Sequence, residues 1–225
     1  MADCGVRSRF QGEIIPRQIR ALVFDCDGVL FDSKEANVQF YNHILKQVGH
    51  PPVHPDQREY IHMHPVRESL FYLLGECPQF EAAIDYCQGI DFRAFNRYLR
   101  VEPGLIEVLE RARLSYRIAL ATNRTVSTRE VLSHFDLDQY FDFVVSASDV
   151  RFPKPHPEAM ERIVDAFEVG PGEILYIGDS SVDEALAAVT GVFFAAYKNP
   201  NLEAHIHLSH FRELHPILFV DKEDE

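Results

Sequence analysis

Short apolar runs that stop abruptly at polar residues punctuate this chain: Ala21-Leu-Val-Phe24 before Asp25, Arg117-Ile-Ala-Leu-Ala121 before Thr122, Phe143-Val-Val145 before Ser146, and Ile174-Leu-Tyr-Ile177 before Gly178. Runs of that length suit strands buried on both faces of a parallel sheet. Between them, residues 104–113, 127–135, 157–167 and 182–189 carry helical patterns. The alternation of strand and helix predicts an α/β fold, a parallel sheet with helices on both faces. In open sheets of this kind ligands bind beyond the carboxyl ends of the strands. The polar residues that end the runs are therefore the first place to look for chemistry.

Residues 34–100 break the alternation, with helical patterns and no convincing buried strand. The first helix has a start signal in Asp32 with Glu35 three residues later, and a stop at Gly49 followed by Pro51 and Pro52. Further helical stretches cover 66–74, 81–87 and 92–99. The expected organisation is a catalytic core of 19–33 and 101–220, an inserted all-helical cap domain of 34–100, an N-terminal extension of 1–18 and a loose tail of 221–225. The two short crossings near 31–33 and 101–104 are candidate hinges.

Composition narrows the function. With 35 acidic against 22 basic residues and a formal net charge of -13, the chain repels nucleic acid and anionic membrane surfaces. It repels an anionic substrate as well, so a phosphate site here needs local positive charge from a cation, a lysine or helix N-termini. The cysteines at 4, 26, 77 and 87 form no CxxC pair, which argues against a zinc site or disulfide framework. No stretch approaches the roughly 20 apolar residues of a membrane span, nor does the N-terminus resemble a signal peptide. A cytoplasmic protein is expected.

The segment from Val23 to Ser33 sets two carboxylates, Asp25 and Asp27, immediately after a buried strand, with Gly28 to turn the backbone. Thr122-Asn123, Lys154 and Gly178-Asp179-Ser-Ser-Val-Asp183 follow, the first and last at other strand ends. If the strands are parallel neighbours, these side chains converge on one edge. Packed carboxylates, a lysine and a hydroxyl repel and strain one another unless a divalent cation and an anion sit among them.

Four elements in order, Asp25-x-Asp27-Gly28-Val-Leu-x-Asp32-Ser33, Thr122-Asn123, Lys154-Pro155-x-Pro157 and Gly178-Asp179-Ser180-x-x-Asp183, resemble the haloacid dehalogenase superfamily, in particular its helical-cap phosphatases. The resemblance runs from Ile19 to Val220. It implies a Rossmann-like core in which Asp25 is the nucleophile and Asp27 the general acid and base. It further implies Mg²⁺ held by Asp25, Asp27 and Asp179, with Asp183 closing or supporting the shell, and a phosphoryl group bound by Thr122, Asn123 and Lys154. The implied substrate is a small phosphorylated metabolite. Because the same scaffold hosts several reactions, the aspartate at 27 matters: it fits phosphomonoester hydrolysis or a β-phosphoglucomutase-like transfer rather than dehalogenation or phosphonate cleavage. A non-catalytic binding module keeping the fold is a further alternative, although no essential residue is missing.

Specificity is expected in the cap segment Tyr60–Glu68, where Pro65 starts a helix and His62, His64 and Arg67 could meet a hydroxyl or carboxylate; the competing reading pairs Arg67 with Glu68 or Glu59 on a solvated surface. His50, His54, His62 and His64 fall in turns and irregular sequence without the helical spacing of a metal site. His205, His207, His210 and His215 are expected at the surface around a last helix. Cys26 should point away from its flanking aspartates, as a packed and inert thiol.

Overall fold

The computed structural model describes residues 19–64, 66–124 and 128–219. The extension 1–18, the tail 221–225, the helix start at Pro65 and the first residue of the 127–135 helix lie outside the described residues. In chain order the elements are β1 (Ala21–Phe24), β2 (Phe31–Asp32), α1 (Lys34–Gln47), α2 (Arg58–Met63), α3 (Val66–Leu74), α4 (Pro78–Cys87) and β3 (Arg100–Val101). Then come α5 (Leu105–Ala112), β4 (Arg117–Ala121), α6 (Thr128–His134), β5 (Phe143–Val145), α7 (Glu158–Phe167), β6 (Ile174–Gly178), α8 (Ser181–Thr190), β7 (Phe193–Tyr197), β8 (Ile206–Leu208) and α9 (His215–Leu218).

The chain divides into two compact units, one running to Leu30 and resuming at Glu102, the other Phe31–Val101. In the first, six parallel strands lie in the order β5-β4-β1-β6-β7-β8. The expected α/β fold is borne out, and β1 sits between β4 and β6, the strands carrying the other two strand-end motifs. One sheet face, with Val23, Ala121, Tyr176 and Phe194, packs on Ala159, Met160 and Ile163 of α7 and Leu186 of α8. On the other face the rings of Phe24 and Tyr197 meet Phe211 at 6.2 and 4.5 Å between centroids. Each fully buried aromatic or aliphatic side chain contributes about 1.5–3 kcal/mol relative to exposure.

The strands β7 and β8 fall outside the expected elements. Val192-Phe-Phe-Ala-Ala-Tyr197 is apolar enough for a buried strand, but it ends in no candidate motif. β8 holds three residues in a histidine-rich stretch, and it corrects the expectation of histidines around a last helix: His207 lies on this strand, and His205 Nδ1 accepts from Phe194 N at 3.0 Å.

The unit Phe31–Val101 contains α1 to α4 and a two-residue antiparallel pair of β2 with β3. Helix α1 begins after Ser33, not Asp32; the Asp32 carboxylate instead accepts from Lys34 N at 3.1 Å. Gly49, at φ +72°, follows its end and supplies the left-handed residue that helix stops favour. Its core gathers Phe40, Ile44 and Leu45 of α1 with Ile61, Leu70, Phe80 and Ala83. His62 lies within α2, a helix in what reads as irregular sequence.

Candidate active site

Register brings the strand-end motifs together. Phe24 is level with Leu120 on β4 and Ile177 on β6, so Asp25, Thr122 and Asp179 leave the same sheet edge on adjacent strands. Asp25 N donates to Ile177 O at 2.9 Å and Thr122 N to Val145 O at 3.0 Å, which carries the ladder one residue past each strand. Gly28 turns the chain at φ +81°, and a Cβ there would overlap the Asp179 carboxylate. A Cβ on Gly178 would overlap the Asp183 side chain. These two positions require glycine because an aspartate side chain packs directly on each backbone.

The loop before α7 supplies Lys154, joined to Pro155 by a cis peptide bond. The Asn123 side chain clamps this loop, its Nδ2 donating to Lys154 O at 2.9 Å and its Oδ1 accepting from Lys154 N at 2.8 Å. Asn123 therefore positions the lysine, a role that its strand-end placement does not suggest. Lys154 is 5% exposed, and its ammonium contacts Asp25 Oδ1 at 2.8 Å, Asp183 Oδ1 at 2.7 Å and the Tyr176 hydroxyl at 3.0 Å. An ammonium has three protons to donate, and each has an acceptor here.

Asp183 is fully buried and anchors the centre. Its Oδ1 accepts from Lys154 and from the Tyr176 hydroxyl, while Oδ2 accepts from Ser180 Oγ at 2.5 Å, Ser180 N at 3.1 Å and Asp179 N at 3.3 Å. It also completes the capping box of α8 with Ser180. A helix-capping acid and a member of the charged cluster are thus one residue. Asn199 Nδ2 donates to Asp179 O at 2.8 Å and holds the same loop from the segment after β7.

Carboxylate oxygens of Asp25, Asp179 and Asp183 lie within 4.8 Å of one another. One lysine cannot neutralise three such groups. Burial raises Asp183 too, but Lys154 and the surrounding donors outweigh it and hold this carboxyl below the usual range. Asp25 is pushed up by burial despite Lys154, and Asp179 is pushed up to about 8 by burial, then by the charges of Asp25 and Asp183. Carboxyls that resist ionisation because they are crowded and desolvated are the donor set a hard divalent cation relieves. The residues present fit Mg²⁺.

Arg124 Nε lies 3.6 Å from Asp27 Oδ2, with the arginine side chain 15% exposed. Arg124 N donates to Thr122 Oγ1 at 3.0 Å. Cys26 is buried between the two aspartates and burial raises its thiol, as expected of an inert packed cysteine.

A family model described as haloacid dehalogenase-like hydrolase matches residues 22–197. The chain belongs to this family. A haloacid dehalogenase-superfamily hydrolase of subfamily IA from Geobacter sulfurreducens is 38% identical, covering 89% of this chain and 97% of the other with a TM-score of 0.80. The phosphoglycolate phosphatase of Rhodobacter capsulatus is 30% identical over 86% of this chain and 92% of its own length. A phosphorylated carbohydrates phosphatase of Thermotoga maritima is 28% identical over 77% and 82% respectively.

Besides Asn199, two polar side chains of this site escape the motif reading. Tyr176 sits inside an apolar strand run and reads as core until β6 is set beside β1. Arg124 follows Thr122-Asn123 in a loop without periodicity; its position two residues past the strand-end hydroxyl is the available signal. The candidate specificity residues lie in the other unit. His62 Nδ1 is 2.9 Å from Asn37 Nδ2, and His64 Nδ1 donates to Tyr60 O at 2.8 Å while its ring stacks on Tyr60. The ion-pair partner of Arg67 is Glu81, at 3.5 Å, rather than Glu68 or Glu59, and the guanidinium lies over the Phe80 ring. No helix among the described residues is long and apolar enough to cross a membrane.

Proposed function

We propose that this enzyme hydrolyses a small-molecule phosphomonoester through an aspartyl-phosphate on Asp25, with Mg²⁺ as cofactor. The observation that carries the reading is the buried Lys154 ammonium 2.8 Å from Asp25 Oδ1, beside a carboxylate cluster that one lysine leaves under-neutralised. Asp25, the Asp27 backbone carbonyl and Asp179 would hold the ion, with Asp183 supporting the shell, and when bound it offsets the repulsion between the Asp25 carboxylate and an incoming phosphate.

The chain's own residues carry the chemistry. An Asp25 oxygen attacks phosphorus as the bond to the leaving oxygen breaks, and Asp27 delivers its proton to that oxygen. Asp27 then takes a proton from water as the water oxygen attacks phosphorus, and the bond from phosphorus to Asp25 breaks. Thr122 and the Asn123 backbone amide bind the phosphoryl oxygens, and Lys154 offsets charge that grows in the transition state. The unit Phe31–Val101 acts as the cap, with His62, His64 and Arg67 reading the rest of the substrate. Relatives named for phosphoglycolate and phosphorylated carbohydrates support a small phosphorylated metabolite as substrate.

Release of phosphate from an aryl phosphate should require Mg²⁺ and vanish with a chelator and in Asp25→Asn. With ³²P-labelled substrate and an acid quench, label should be recovered on Asp25. Recovery on another residue overturns the mechanism. Adding a panel of sugar phosphates separates hydrolysis from β-phosphoglucomutase-like transfer, because a mutase returns a phosphorylated isomer in place of inorganic phosphate.

A further inference from the structure

Arg124 has no part in the scheme above, yet its side chain is 15% exposed and stands 3.6 Å from the group assigned as acid and base. Burying a guanidinium is costly unless it meets negative charge. Burial works against the charge of Arg124, and the negative charge of Asp27 is the largest contribution that opposes it, with Cys26 and Asp25 adding to it. Its backbone is fixed on both sides: Arg124 N donates to Thr122 Oγ1 at 3.0 Å and Arg124 O accepts from Ala147 N at 3.0 Å. The arginine is thus pinned to the phosphate-binding strand end and reaches across to Asp27. Asp27 itself is less enclosed, with a side chain 41% exposed. A carboxyl this open samples several rotamers, and only some place its proton in line with a departing oxygen.

We propose that Arg124 is a positioning residue that holds the Asp27 carboxyl for proton transfer to and from substrate oxygens. The proposal rests on the assignment of Asp27 as general acid and base. An arginine suits the task because its guanidinium stays protonated throughout and is planar and rigid, so it orients the carboxyl without competing for the proton. The proton passes from Asp27 to the leaving oxygen as the phosphorus–oxygen bond breaks, and Arg124 exchanges none. A second feature fits the same placement: Arg124 Nη1 is buried without a hydrogen-bond partner among the described residues, a donor held in reserve at the edge of the site.

The test compares two substrates that differ in their need for a proton. Departure of 2,4-dinitrophenolate from its phosphate needs little assistance, whereas phenolate from phenyl phosphate needs protonation. kcat/KM for both, measured in wild type, Asp27→Asn, Arg124→Ala and Arg124→Lys, gives a ratio that cancels any inactive fraction of a preparation. Arg124→Ala is expected to lose at least about tenfold more on phenyl phosphate than on the dinitrophenyl ester, within the roughly 10²–10⁴ that general acid catalysis supplies. Arg124→Lys should fall between, and Arg124→Ala should add no further leaving-group dependence on an Asp27→Asn background. Equal losses on the two esters, or none, overturn the proposal while a leaving-group-dependent loss in Asp27→Asn leaves the mechanism standing. If Asp27→Asn itself shows no such dependence, the assignment of Asp27 falls and the proposal with it.

Discussion

Among the described residues, the unit that carries the sheet buries Asp25, Lys154, Asp183 and Glu102, whereas the buried polar side chains of the unit Phe31–Val101 are Ser33, Ser69 and Asn96, none of them charged. The helical unit has charges too, but keeps them wet: Arg58–Glu35 and Arg67–Glu81 join side chains that are 52%/49% and 65%/69% exposed. Exposed pairs of this kind contribute about 0–1 kcal/mol. Buried ones are costly to desolvate, and they persist where every charge has partners. The same residue types therefore mean different things in the two units. In the sheet unit the buried ions Asp25, Lys154 and Asp183 share one cluster, and in the helical unit these ion pairs lie on a solvated surface.

The sharpest way to break this contrast is Lys154→Ala. It strands Asp25 and Asp183 without their shared cation, and breaking a buried pair costs about 3–5 kcal/mol. Turnover should fall by about 10²–10³ or more, since the lost donor also serves the transition state. Chemical denaturation together with kcat/KM reads both effects. Near-normal turnover in a folded variant would mean that the buried lysine is only structural.

A pH dependence of stability should also appear in the sheet unit. In the metal-free protein Asp25 and Asp179 bind protons more tightly folded than unfolded, Asp179 titrating at about 8 against an ordinary 3.8. Over that window the folded state holds protons the unfolded chain has released. Stability without metal should thus fall as pH rises from about 4 toward about 8, each carboxyl contributing at most about 1.4 kcal/mol per pH unit. Mg²⁺ displaces those protons, so its stabilising effect should grow over the same interval. Thermal melts with chelator and with Mg²⁺ at several pH values check the sign. A metal-free protein that grows steadily more stable up to about pH 8 would contradict the crowding of these carboxyls.

What can be read from residues alone follows the same division. β1, β4 and β5 coincide with apolar runs that end at polar residues, because a strand buried on both faces leaves an unbroken signature. Asp25, Asp179 and Asp183 are consecutive in no segment, yet parallel pairing of β1 and β6 brings them together. Tyr176 is hidden because its ring belongs to the strand core and only its hydroxyl belongs to the site. Arg124 is hidden because a loop residue has no period, and its partner Asp27 is distant in sequence. β8 is three residues long and half-buried in places, too short for a pattern to develop. In the helical unit α3 matches its expected bounds, while α2 and the pairing of Arg67 with Glu81 depend on which helix faces which, and composition does not carry that.

The smallest effect is expected where the contrast says little energy is stored, at Arg67, His62 and His64. Arg67 lies over the Phe80 ring at 5.1 Å and 3.5 Å from Glu81, but its side chain is 65% exposed. A solvated cation over a ring and a screened ion pair together are worth about 1 kcal/mol or less. Arg67→Ala should leave stability nearly unchanged, and the same holds for His62→Ala and His64→Ala if their local bonds to Asn37 and Tyr60 are exchanged for water. Stability is therefore a poor readout for these positions, and substrate discrimination is the informative one. The core motifs see only the phosphoryl group that all monoesters share, so a residue that reads the remainder should alter relative kcat/KM across a substrate panel while Mg²⁺ affinity stays put. Several-fold reordering of the panel in any of the three variants would place specificity in the segment from Tyr60 to Glu68. An unchanged ranking in all three would show that these side chains are surface groups of the helical unit and nothing more.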